Sequence, residues 1–249
     1  MHDGKPAIVL CADTQGTDFA KSSDVRKISP LRDTGFKWMY CDRPGIAREL
    51  ASAIGPAAEA FNATSMDDVA VTQLIFDINQ ITKERKRLLV QDHIERTYGL
   101  DVSEFYKVAT ENERYAVANK GFECELLLTH AGPREAFVLH VNNQGLCSWE
   151  DNYKGIGSGW VIARSVLAQK DWNYRMNVLE AAGRLLFAKR SAEKDVYVSK
   201  ETPLFASFAG HPALVAFSDA GVEAVEANNP RIKWPENVPE ATDDMFEYV

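Results

Sequence analysis

Apolar and polar positions along the chain fall into blocks of two periodicities. Residues 7–12 (Ala-Ile-Val-Leu-Cys-Ala) form a continuous apolar run stopped by the turn chemistry of Asp13-Thr14-Gln15-Gly16-Thr17, which predicts a strand buried on both faces. Residues 25–29 and 36–41 predict two further strands. From Pro44, which a first helical turn tolerates, Ile46, Leu50, Ile54 and Ala57 keep an apolar face at helical spacing. Ser65 then supplies a capping side chain ahead of Asp67 and Asp68. Val69, Leu74, Ile75, Ile78 and Ile81 trace one stripe of a long amphipathic helix. Its later charge run, Lys83-Glu84-Arg85-Lys86-Arg87, reads as a solvated face with Leu88 and Leu89 turned inward.

Beyond Glu123 the period returns to two. Residues 124–128, 136–141 and 146–149 predict an antiparallel meander, separated by Ala131-Gly132-Pro133-Arg134 and Asn142-Asn143-Gln144-Gly145. Helices are expected over 158–169 and 177–194, and strands over 196–199, 204–208 and 213–217. Strands, two helices, strands, two helices and strands again suit two stacked antiparallel sheets covered by helices. The predicted fold is α+β, a four-layer αββα sandwich, with the strand at residues 7–12 central in its sheet. One domain is expected over residues 1–227, followed by an extended acidic tail over 228–249 that carries Pro230, Pro235 and Pro239.

Composition narrows the function classes. Among 249 residues, 28 are basic and 36 acidic, a net charge of -8, which argues against a protein whose task is gripping a phosphate backbone. The longest apolar run near the start is far too short to cross a bilayer, and the first residues carry no basic, apolar leader, so a cytoplasmic protein is expected. Cys11, Cys41, Cys124 and Cys147 lie in apolar segments without a C-x-x-C pair and read as reduced core thiols. His93, His130, His140 and His211 make no metal spacing, although His130 and His140 could approach across their hairpin; no metal and no cofactor are expected.

Candidate chemistry gathers elsewhere. Gly155-Ile156-Gly157-Ser158-Gly159 opens a helix, yet it matches neither the dinucleotide nor the phosphate-loop pattern, nor the nucleophile elbow of serine hydrolases. A serine hydrolase or nucleotide-binding enzyme built on this loop is a minor reading. Taken in order, the segment 8–13, the stretch Val25-Arg26-Lys27-Ile28, the run 153–159 with Ala163 and Leu167, and Val178-Leu179-Glu180-Ala181-Ala182 resemble the proteasome β-subunits and HslV-type peptidases of the N-terminal nucleophile hydrolases. The resemblance extends from about residue 7 to residue 208. It implies the same αββα sandwich.

In that family a processed amino-terminal Thr attacks the peptide carbonyl, with its own α-amino group as base. The resemblance makes Asp13 and Lys27 the charged residues beside that nucleophile, and Ser158 the hydroxyl bonded around the terminal amine. It further implies polypeptide substrates and a closed homo-oligomeric ring of six or more subunits, with no nucleic acid and no membrane as partner. The sequence departs from the pattern in three places. No Ser or Thr precedes Asp13, so the nucleophile is expected upstream of Met1. No glycine follows the third strand in Tyr40-Cys41-Asp42-Arg43. Arg190-Ser191-Ala192-Glu193-Lys194-Asp195 replaces a late Arg-Asp-x-x-Ser-Gly segment. A catalytically inactive structural or binding member of the same fold is the alternative.

Overall fold

The computed structural model describes residues 5–12, 27–61, 68–150, 152–169, 176–194, 198, 203–209, 211, 213–227 and 241–248. In chain order the strands are β1 (Ala7–Cys11), β2 (Ile28–Pro30), β3 (Phe36–Asp42), β4 (Cys124–Ala131), β5 (Ala136–Val141), β6 (Cys147–Glu150), β7 (Leu204–Phe208), β8 (Val215–Phe217) and β9 (Phe246–Tyr248). The helices are α1 (Pro44–Phe61), α2 (Asp68–Tyr98), α3 (Val102–Val108), α4 (Glu111–Ala118), α5 (Trp160–Leu167), α6 (Val178–Ala192) and α7 (Asp219–Ala227). Two sheets form, one in the order β2-β3-β4-β5-β6 and one in the order β1-β7-β8-β9, with every pairing antiparallel.

Strand alternation sorts the side chains into layers. Leu126 and Leu128 of β4, with Phe36 and Tyr40 of β3 and Leu139 of β5, face outward onto Leu50 and Ile54 of α1 and Leu74 and Ile78 of α2. Leu127 and Met39, one step along the same strands, turn inward to meet Ile28, Leu10 and Leu214 between the sheets. On the far side, Val178, Leu179, Ala182 and Leu186 of α6 and Val225 of α7 cover Leu204, Ala206 and Phe217 of the second sheet. Each such aliphatic side chain removed from water contributes roughly 1.5–3 kcal/mol. The four layers are therefore helices, sheet, sheet and helices, the αββα sandwich expected from the sequence.

Several local expectations change. β1 is half-buried, with only Leu10 fully enclosed, and among the described residues it pairs with β7 alone. Among the described residues it stands at the edge of its sheet rather than at the centre, with β7 on its one paired side. The expected tail is also revised where it is described: Ala241 is buried against the second core, Asp243–Met245 makes a 3-10 turn, and β9 pairs with β8. Phe246 explains this, since its ring packs at 5.1 Å on Phe217 and 5.0 Å on Phe208. Residues 228–240 lie outside the described residues, as does most of the strand expected at 196–199.

His130 and His140 do not meet. His130 pairs with Phe137 and sits among Phe36, Phe61 and Phe137 on the helix side, whereas His140, opposite Leu127, occupies the other face of the sheet. An even residue of β4 and an even residue of β5 fall on opposite faces because their register pairs even with odd. Between α2 and β4 the chain adds α3 and α4, each opened by a reciprocal capping box, Asp101 with Glu104 and Thr110 with Glu113. Phe105 and Val117 anchor them on Ile94 of α2.

Candidate functional site

Distant segments close one cavity of about 500 Å³. The ends of β1 and β3 bring Cys11, Ala12, Cys41 and Asp42 to it; Lys27 arrives just ahead of β2; the loop 153–159 and helices α5 and α6 form the opposite wall. A second cavity of about 400 Å³ adjoins it along β1 and shares Cys11, Met39, Leu127, Tyr153, Lys154 and Leu185. The glycine pattern of the loop follows from close approach. Gly157 has φ +89°, in the left-handed region that favours glycine, and an added Cβ would lie 3.4 Å from Cys41 Cβ. A Cβ on Gly155 would stand 2.2 Å from the ring of Trp160, and one on Gly159 2.6 Å from Val198. The same Gly159 Cβ would lie 3.1 Å from Ala192 of α6, so this glycine is what lets α5 seat against α6.

Among the described residues that line the cavity, the charged groups are Lys27, Lys154 and Lys189 against Asp42. Lys154 is fixed by Glu150, its Nζ donating to Oε1 at 2.9 Å. The same oxygen accepts from the Ser148 hydroxyl at 3.2 Å and lies 3.5 Å from His140 Nδ1. Burial, and next the Lys154 charge, hold the His140 pKa below its ordinary 6.5. Lys189, with only 9% of its side chain exposed, donates to Glu193 at 3.0 Å. Asp42 has φ +63°, a left-handed conformation unusual for any residue but glycine. Cys41 is buried, and burial first, then the Asp42 carboxylate, push its thiol up to about 12. It is not a thiolate at neutral pH.

Of the three residues singled out by the sequence, Lys27 and Ser158, far apart in the chain, line this one cavity. Ser158 is exposed and Lys27 partly so. Asp13 lies outside the described residues. Lys154, Lys189, Asp42 and Trp160 were not anticipated as cavity residues. Asp42 had a signal, as part of the stretch Tyr40-Cys41-Asp42-Arg43 in which an expected glycine found no match; Lys189 had none, because a lysine on an amphipathic helix reads as solvated.

No family model matches the sequence, and the search of curated proteins returns no match. Among solved structures, the chain is similar to eukaryotic HslV from Trypanosoma brucei, with a TM-score of 0.50 and 18% identity, over 80% of this chain and 92% of that one. At this identity the likeness is one of fold: the chain has the two-sheet sandwich of the HslV and proteasome β-subunit type. No helix among the described residues is long and apolar enough to cross a membrane.

Proposed function

We propose that this chain is a proteasome-like subunit of a self-compartmentalised threonine-type peptidase, acting in the cytoplasm on polypeptides as a closed homo-oligomeric ring of six or more copies. The observation that supports the reading is the joint presence of Lys27 and Ser158 in one cavity of an HslV-like fold. In the reaction, the hydroxyl of an amino-terminal Thr adds to the peptide carbonyl and its α-amino group takes the proton. Collapse expels the amine, and water then releases the acyl group. By the resemblance, Lys27 and Asp13 set the charge around that nucleophile and Ser158 hydrogen-bonds the terminal amine.

The Cys41 thiol stays protonated, and no described histidine lines the cavity to act as base for Ser158. The end of β3 favours a second reading, a non-catalytic structural or binding subunit, because Tyr40-Cys41-Asp42-Arg43 offers no match for the glycine whose amide the resemblance places at the oxyanion. Turnover of fluorogenic peptides decides between them. A form extended upstream of Met1 and processed to an amino-terminal Thr should cleave, and Lys27→Ala in that form should lose several orders of magnitude in rate. Cleavage by the chain starting at Met1 that survives Lys27→Ala would refute the mechanism. A ring that sediments intact but cleaves in neither form would establish the non-catalytic reading.

A further inference from the structure

We propose that Glu150 is a shared anchor for which Lys154 and a proton on His140 compete, so that mild acid passes the carboxylate to His140 and releases the cavity wall at Lys154. His140 lies on the face of β5 turned away from α1 and α2, with 9% of its surface exposed, and pairs with Ser148 of β6. Its Nε2 stands 3.7 Å from Glu125 Oε1 on β4 and its Nδ1 3.5 Å from Glu150 Oε1 on β6, both beyond ordinary hydrogen-bond length. Nε2 is buried without a hydrogen-bond partner. The Glu150 oxygen is engaged elsewhere, accepting from Lys154 Nζ at 2.9 Å and from the Ser148 hydroxyl at 3.2 Å. Among the described residues, Glu125, Glu150 and Lys154 are the charged groups around the ring; β5 adds none, and β1, which packs over it, carries none.

Two carboxylates flank one imidazole, and the nearer of them is held by an ammonium. A neutral imidazole has a single N–H and an imidazolium has one at each nitrogen, so only the protonated ring can donate to Glu125 and Glu150 together. Such charge-assisted bonds close to about 2.8 Å, which draws both carboxylates onto the ring. Burial, and next the Lys154 charge, oppose the proton, while Glu125 and Glu150 attract it. Both opposing causes weaken when Lys154 leaves, because a like charge departs and water reaches the ring. Both attractive ones grow as the carboxylates close in. The chain therefore has two self-consistent arrangements: Lys154 on Glu150 beside a dry, neutral imidazole, and an imidazolium between Glu125 and Glu150 with Lys154 released. By linkage, the hold of Glu150 on Lys154 disfavours the proton by the same factor as the proton disfavours that hold. Residues 152–157 belong to no helix or strand, and Lys154 lines both cavities, so its release loosens the wall that continues into Ser158. The device governs access to the cavity whatever ligand enters, and it is independent of the peptidase reading.

An NMR titration of the full chain, from about pH 7.5 down to acid unfolding, tests the proposal. It follows the His140 Cε1–H signal, assigned by its loss in His140→Gln, and the Lys154 Nζ signal, assigned by its loss in Lys154→Met. His140 should titrate below 6.5, and the Lys154 signal should move with the same midpoint. That midpoint should rise in Lys154→Met and fall in Glu125→Gln. Hydrogen exchange, corrected for its intrinsic pH dependence, gives a second readout. Amides of residues 152–160 should lose protection several-fold between about pH 7.5 and about pH 5 while those of α2 do not, and in His140→Gln this loss should disappear. His130, held down to about 4, titrates below that window. If Lys154→Met or Glu125→Gln fails to fold, the shared midpoint in the unaltered chain and the exchange in His140→Gln decide. A His140 that takes up no proton before the chain unfolds, a Lys154 signal or loop exchange that ignores its titration, or a loss of protection that persists in His140→Gln overturns the proposal.

Discussion

Lys37 offers the sharpest energetic test of the fold. It is fully buried, at 0% exposure, on β3 between Phe36 and Trp38. By strand alternation it shares the inner face of Met39, towards the second sheet. Its Nζ donates to the Gly35 carbonyl at a long 3.5 Å, and burial lowers its pKa from the ordinary 10.5 to about 8. At roughly 1.36 kcal/mol per pH unit of separation, keeping this ammonium charged in the core costs about 3 kcal/mol at neutral pH. The folded state holds fewer protons than the unfolded one only between about pH 8 and pH 10.5, so stability from this group is fully present above 10.5 and lost as pH falls through about 8. Lys37→Met should therefore be more stable than the unaltered chain at pH 7, by about 2–3 kcal/mol, with the advantage vanishing near pH 10.5. Urea unfolding of both chains, followed by far-ultraviolet circular dichroism across that range, measures the difference. The buried thiols of Cys41, Cys124 and Cys147, each raised to about 12, reduce stability above pH 9 in both chains and cancel in the comparison. A difference that does not change with pH, or a less stable Lys37→Met at pH 7, would refute the reasoning.

Three further outcomes follow from single residues. His130, enclosed by Phe36, Phe61 and Phe137, is held down to about 4 by burial first and the Lys37 charge second, so the folded chain should lose stability as pH falls from 6.5 towards 4; His130→Phe should flatten that limb in pH-dependent unfolding. Asp42 in its left-handed conformation should tolerate glycine at no cost or gain up to about 1 kcal/mol, while Asp42→Val should lose about 1–2 kcal/mol, both read from denaturation midpoints. Gly159→Ala should destabilise by about 1–3 kcal/mol, because its Cβ meets Val198 at 2.6 Å and Ala192 at 3.1 Å; Val198→Ala in the same chain should restore part of the loss in thermal unfolding.

The sequence by itself determined the order and type of most elements. Alternation at 36–41 and 136–141, and the stripe through Leu50, Ile54, Leu74 and Ile78, record which face each segment buries, and that is a local property. The capping boxes at Asp101 and Thr110 were equally local signals for α3 and α4, but each helix buries one apolar residue, too few to raise a stripe. Tertiary structure alone decided what depends on residues far apart in the chain. Residues 7–11 read as a doubly buried strand because the run is apolar, yet its depth is fixed by its neighbours, and among the described residues β7 is the one that pairs with it. Lys37 interrupts an otherwise apolar alternation and would be assigned to water; the second sheet stacked over β3 buries it. Lys27 and Ser158 share a family pattern in the sequence, but their common cavity, and the presence there of Asp42, Lys154 and Lys189, come from the seating of α5 on α6 through Gly159 and from the closing of both on the end of β3. A pattern in one dimension specifies faces; only the packing of those faces specifies which charges end on the same wall.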